Sequence, residues 1–153
     1  MRSFLTWNPE RAPSAVILIR LMVGAVFLSE GIQKFLFPES LGVGRFIKIG
    51  IPAPEILAPF VGVVEIVCGI LVLIGLFTRL AAIPLIIDML VAIASTKIPI
   101  LFESGFWKMA HDARTDWSML LGSSVLLLLG AGHLSADAYL QEKAKPARPK
   151  NRE

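Results

Sequence analysis

The chain has 153 residues, 55% hydrophobic and 18% charged, with a mean hydropathy of +0.70. A soluble domain of this length carries about a quarter of its residues as charges, so the composition excludes that class and puts a membrane protein first. The net charge of +3 does not argue for nucleic acid, because Lys143, Lys145, Arg148, Lys150 and Arg152 supply the excess, as a cytoplasmic tail does. The single Cys68 excludes an intramolecular disulfide, a CxxC redox pair and a thiolate cluster, and within its apolar run it reads as a packing residue.

Residues 1–13 are polar, with Pro9 and Pro13, and form an N-terminal cytoplasmic segment. The apolar stretch that follows starts late, contains charge and lacks a small-residue cleavage site, so it reads as a retained first span and not as a signal peptide. The chain as a whole predicts an all-α fold, a polytopic integral membrane four-helix bundle, with a transmembrane domain over 14–140 and a basic tail over 141–153. The spans fall at about 14–37, 54–77, 79–96 and 117–136. Each is near the twenty residues that cross about 30 Å of hydrocarbon, and helix is required because lipid offers the backbone no partners.

The first span contains Arg20, Glu30 and Lys34 and stops at Pro38. The second has Glu65 as its one interior charge. The third is the shortest and contains Pro84, expected to kink it, and Asp88. The fourth has no fixed charge. Spans two and three meet at Phe77-Thr78-Arg79 as a tight hairpin. The longer connections, 38–53 and 97–116, lie on the opposite side, and the second suits a short interfacial helix with Trp107 and Trp117 near the headgroups. No internal repeat is evident.

Lys and Arg number eight on the hairpin side and six on the other. Positive-inside therefore puts both termini in the cytoplasm.

At about 100° per residue, Arg20, Gly24, Phe27, Gly31 and Lys34 share one stripe of the first span. Glu30 sits at its edge, one turn before Lys34. Ala58, Gly62, Glu65 and Gly69 share another in the second span; Ala81, Pro84, Asp88, Ala92 and Ser95 share a third. Small residues beside ionisable ones mark the faces on which helices pack. Glu65 and Asp88 are therefore expected inside the bundle, with Arg20, or Lys34 with Glu30, as counter-charges.

An isolated charge in lipid costs about 2.5 kcal/mol or more, which leaves two readings open. The charges are structural pairs that fix which helices meet, or they line a polar site for a lipid-soluble substrate, a quinone headgroup or a proton, with Glu65 as the candidate catalytic acid/base. Arg79 at the hairpin reads as a positive-inside anchor. His111 and His133 belong to opposite membrane faces and cannot share a metal. No metal and no tightly bound cofactor is expected, and no phosphate loop, dinucleotide fingerprint or nucleophile elbow occurs.

RLMVGAVFLSEGIQKF in the first span, IPAPEILAPFVGVVEIVCGILVLIGLFTRLAA around the second, and the closing GAGHLSADAYL resemble, in order and spacing, the DoxX family of small bacterial four-helix membrane proteins. The resemblance covers about residues 15–140. It rests on Gly24, Phe27, Gly31 and Lys34; on Pro52, Gly62, Glu65, Gly69, Gly75, Thr78 and Arg79; and on Gly130, Gly132, Ser135 and Asp137, which match a closing GxG..S.D pattern. It implies a multi-pass protein of the bacterial inner membrane. The polar residues it singles out are Glu65 and Arg79, then Lys34 and Asp137. The name-giving relatives are linked to a thiosulfate:quinone oxidoreductase, and others to redox or thiol-stress complexes. HDARTDW departs from the family's shorter Glu-Tyr element before the last span.

Three functions follow as expectations: a membrane subunit or scaffold of a redox-related complex, a quinone-coupled oxidoreductase subunit with Glu65 near the quinone, and a small proton-coupled transporter. With no redox centre in the chain, an oxidoreductase role requires electrons from a soluble redox partner. The expected partners are that protein, the lipid bilayer and further copies of the chain.

Overall fold

The close approach of the first two long helices organises the architecture. In the computed structural model, which describes residues 14–144, α1 (Val16–Leu36) packs along α3 (Pro54–Ile74), with the short α2 (Val43–Lys48) in the connection between them. Gly24 faces Gly69 and Gly31 faces Gly62 across this contact. A Cβ on Gly31 would lie 2.7 Å from the Gly62 carbonyl oxygen, so the stripes of small residues let the two backbones touch.

After the hairpin, α4 (Thr78–Ala92) passes through a π-helical turn (Ile93–Lys97) into α5 (Ile98–Ser104). Then come α6 (Phe106–Asp112), α7 (Arg114–Leu129) and α8 (Ala136–Ala144). α4 packs on α7, and both close against the first pair. Val23, Phe27, Val72, Leu85 and Leu126 form the fully buried centre. Leu18, Leu21, Phe60, Val63, Leu80, Ile87, Leu121 and Leu128 point outward and are exposed. Such a surface is unfavourable in water and favourable in lipid.

The chain is all-helical among the described residues, and three helices are long and apolar enough to cross a membrane: Val16–Leu36, Pro54–Ile74 and the continuous run Thr78–Ser104. Two expected boundaries are corrected. The third span, expected as the shortest at 79–96, belongs to this 27-residue run, the longest of the three. Pro99 has no N–H and its ring would clash with the carbonyl four residues back; the wider π-turn just before it absorbs that conflict, so the helix continues. Ser95 and Thr96 satisfy the Val91 and Ala92 carbonyls there through their hydroxyls.

The last long helix, expected over 117–136, instead runs Arg114–Leu129 and has 16 residues. Gly130 and Gly132, both at φ +77°, break it. The connection expected over 97–116 holds two short helices, not one. The segment 1–13, and the tail beyond Ala144, lie outside the described residues.

The break after α7 delivers chain to the hairpin end. Gly75, at φ +71°, ends α3 and packs against the Arg20 guanidinium, where any Cβ would collide. Phe77 is also left-handed, at φ +48°, a costly conformation for a residue with a side chain. It is held by Asp137, whose Oδ1 accepts from the Phe77 N–H at 2.9 Å and whose Oδ2 accepts from the Thr78 N–H at 3.3 Å. The Asp137 N–H in turn donates to the Gly75 carbonyl at 2.9 Å. Asp137 therefore caps α4 from sixty residues away, while Ser135 caps its own helix by accepting from the Ala138 N–H.

Two outcomes test this account in thermal unfolding of the detergent-solubilised protein. Gly31→Leu should destabilise by about 1–3 kcal/mol through overpacking. Asp137→Ala should cost about 1 kcal/mol, as loss of a helix cap does, whereas Asp137→Asn should retain part of it.

Candidate functional site: a charged cavity at half depth

Glu65 lies eleven residues into α3, about 16 Å from its start at 1.5 Å per residue, and is 2% exposed. Lys34, on the last turn of α1, reaches it: Nζ donates to Glu65 Oε2 at 2.6 Å. The glycine contacts put the two helices close enough for this bond. Asp88 comes in from α4, and its carboxyl lies against that of Glu65. Such a carboxyl–carboxyl contact is a hydrogen bond when the two share one proton.

A cavity of about 520 Å³ leads from these groups towards the end of the bundle that carries α2 and α6. Its walls are largely apolar, including Val26, Phe27, Leu57, Phe60, Val61 and Met89, and Leu41, Phe46 and Ile49 roof it. Glu30 and Arg45 line it from exposed positions, so it meets the surface there. A second ion pair borders it: Lys97 Nζ lies 3.2 Å from Asp116 Oδ2, with both side chains mostly buried. This pair joins the π-turn to the start of α7.

The structure thus brings together Lys34, Glu65 and Asp88, with Glu30 at the cavity rim, and separates the other sequence candidates from them. Arg20 is corrected as a counter-charge of Glu65. It is buried at the hairpin end, where Nε donates to the Val72 carbonyl at 3.0 Å and Nη2 to the Leu73 carbonyl at 2.6 Å. Its Nη1 donates to the carbonyls of Ala131 and Leu134, at 3.2 and 2.5 Å. Carbonyls at a helix C-terminus lack intrahelical partners and carry partial negative charge. One guanidinium with five fixed donors can satisfy several together.

Lys34 is paired with Glu65 and not with Glu30, which stays exposed. Arg79 is more than an exposed anchor: it is half-buried and donates to the Leu128 carbonyl. Asp137 belongs to the hairpin cap. His111 lies at the end of α6 and His133 in the turn after α7, both exposed. Among the described residues no three His, Cys, Asp or Glu side chains are grouped as metal ligands. Cys68 is a buried member of the apolar core.

Sequence reasoning missed Lys97, Asp116 and Arg45 as cavity residues. Lys97 and Asp116 stood in a presumed loop; the signal available was that a helix continued through Pro99 would turn Lys97 towards the bundle.

Removing one partner of a buried ion pair strands the other charge, at about 3–5 kcal/mol. Lys34→Met should therefore lower stability by that order, and the exchange Lys34→Glu with Glu65→Lys should recover part of it in a double-mutant cycle. At the rim, Asp112 is held below the usual aspartate range, first by its hydrogen bond from Lys108 at 3.1 Å. A depressed carboxylate contributes stability above its unfolded pKa and loses it as pH falls through the folded value. Lys108→Met should raise the Asp112 titration in a carboxyl ¹³C NMR experiment.

No solved structure matches the chain significantly. The chain is 58% identical over 138 residues to a protein of Mycobacterium tuberculosis named "Uncharacterized membrane protein Rv3486", covering 86% of this chain and 85% of that one. It is 28% identical over 124 residues to "Putative oxidoreductase CatD" of Bacillus subtilis, covering 81% of this chain and 85% of that protein. The DoxX family profile matches residues 15–98, which include the α1–α3 glycine contact, Lys34, Glu65 and Asp88. This chain is a membrane protein of the DoxX family.

Proposed function

We propose that this chain is the membrane-embedded subunit of a redox complex and that its cavity receives a quinone-type headgroup from the bilayer. One observation carries the reading: a ligand-sized cavity with apolar walls ends on Lys34, Glu65 and Asp88 at half the depth of α3. Its volume of about 520 Å³ falls among small-molecule sites, which span about 300–1,000 Å³ and combine apolar walls with a few placed polar groups. Ionisable residues at such depth are more often functional than not. The B. subtilis relative's printed name supports a redox role, as the family resemblance does.

A quinone supplies the electron-accepting chemistry that side chains lack, and in this reading a soluble partner delivers the electrons. The chain's own residues bind and orient. Lys34 has ammonium protons beyond the one given to Glu65, and these suit a ring oxygen. The Glu65–Asp88 pair can hold or release a proton beside that oxygen, and the roof over the cavity limits water.

For its placement we propose the inner membrane of a bacterium, in keeping with the mycobacterial relative, with α7 as a fourth span. The hairpin end faces the cytoplasm. Of the six Lys and Arg counted at the other end, Lys34 and Lys97 are neutralised in buried pairs, which leaves four against eight and widens the positive-inside bias.

Purification from native membranes in mild detergent, with mass spectrometry and quinone extraction, tests the reading. It predicts near-stoichiometric quinone together with a soluble redox protein. Ala92→Phe, which puts a ring into the cavity, should abolish the quinone without lowering the melting temperature. Quinone-free protein recovered alone would sink the proposal. The ionisable groups lining the cavity favour a proton-coupled carrier as the second reading, which flux in proteoliposomes would reveal.

A further inference from the structure

The quinone-type site leaves one polar atom unsatisfied. Asp88 lines the cavity, and its Oδ2 is buried with no hydrogen-bond donor in reach. An orphaned buried acceptor costs about 1–3 kcal/mol, and more when charged. Nearby donors are committed elsewhere: Lys34 to Glu65, Lys97 to Asp116, and the Ser95 and Thr96 hydroxyls to carbonyls of their own helix. From the surrounding elements, α1 adds Glu30, α2 adds Arg45, α6 adds Asp112 and α7 adds Asp116 to the cavity lining. With Glu65 and Asp88 this makes five carboxyls against the three cations Lys34, Arg45 and Lys97. The cavity is thus richer in acceptors than in donors.

We infer that the cavity discriminates by redox state: it binds the reduced, hydroxyl-bearing ring, a hydroquinone, more tightly than the quinone, with Asp88 as the specificity-determining residue. The inference rests on the quinone reading above. Both forms accept a hydrogen bond from Lys34, so Lys34 does not distinguish them. Only the reduced form donates. Its hydroxyl satisfies Asp88 Oδ2, whereas the oxidised ring sets a carbonyl oxygen against a carboxylate oxygen, acceptor to acceptor. Sites built to hydrogen-bond a hydroxyl reject analogues lacking it strongly, because their buried polar groups are then left unpaired. A site that holds the reduced form more tightly also raises the potential of the bound couple, by about 30 mV for each tenfold in a two-electron pair.

The test is anaerobic calorimetric titration of the full chain in nanodiscs with decylubiquinone and, separately, decylubiquinol. The quinol should bind at least about tenfold tighter, the factor that one satisfied acceptor gives. Asp88→Asn, whose amide can donate to a quinone carbonyl, should bring the two affinities together. Equal binding by the wild type, or tighter quinone, overturns the inference and leaves the quinone site standing. So does a folded Asp88→Asn protein that keeps the full preference. Binding of neither form removes the inference and the quinone site together. The wild-type comparison decides even where the variant fails to fold.

Discussion

The structure depends on the backbone contact between α1 and α3. Gly24 on Gly69 and Gly31 on Gly62 place two helices at a separation that larger side chains forbid. Lys34 then lies one turn beyond the second contact, where its ammonium can reach into α3 and meet Glu65 at 2.6 Å. Without that approach the lysine would extend to the membrane surface, as long basic side chains near helix ends do, and Glu65 would sit in the bilayer alone. The small residues and the charges are therefore one device: the first brings the helices together, and the second makes this register preferable to others.

The two ends of the bundle solve the same problem, polar groups in an apolar medium, in opposite ways. At the hairpin end every group identified finds a fixed partner within the chain. Arg20 gathers the final carbonyls of α3 and those of the turn after α7, and Asp137 caps α4. At the other end the polar groups surround open volume, and Asp88 Oδ2 is left without a donor. A closed network rigidifies, whereas a partly satisfied one is costly. The second end is the place where a ligand changes the energetics most.

Much of this was legible in the sequence because helical periodicity is strictly geometric. The stripes of Gly24, Gly31 and Lys34, and of Gly62, Glu65 and Gly69, follow from 100° per residue, and the structure sets them face to face. Periodicity fixes a face but not which polar groups on it will pair. Arg20 shares Lys34's stripe, yet fourteen residues separate them, about 21 Å of helix, so they serve opposite ends. A guanidinium also pairs with bare carbonyls as readily as with carboxylates, and carbonyls carry no mark in the sequence. The π-turn was hidden for a related reason. Lys97 and Pro99 look like the end of a span, and only the widened turn, with Ser95 and Thr96 bonded back into the helix, carries it through to Ser104. That continuation brings Lys97 to Asp116 and completes the cavity.

The cavity's depth bears on the choice between a redox subunit and a carrier. It reaches the middle of α3 from one end. From there to the hairpin the interior is filled by Phe27, Val23, Val72, Leu85 and Leu126, all essentially inaccessible, and then sealed by Arg20. A carrier exposes its site alternately to both sides, by rocking one repeat against another. Here the helices that would have to part are joined at the hairpin end by Arg20 and Asp137, and no internal repeat supplies a second arrangement. A site that exchanges protons with one side and ligands with the bilayer needs no such motion. This makes a one-sided chemical site the more economical use of the fold, with the dry half serving as the barrier that keeps protons on the side where they enter.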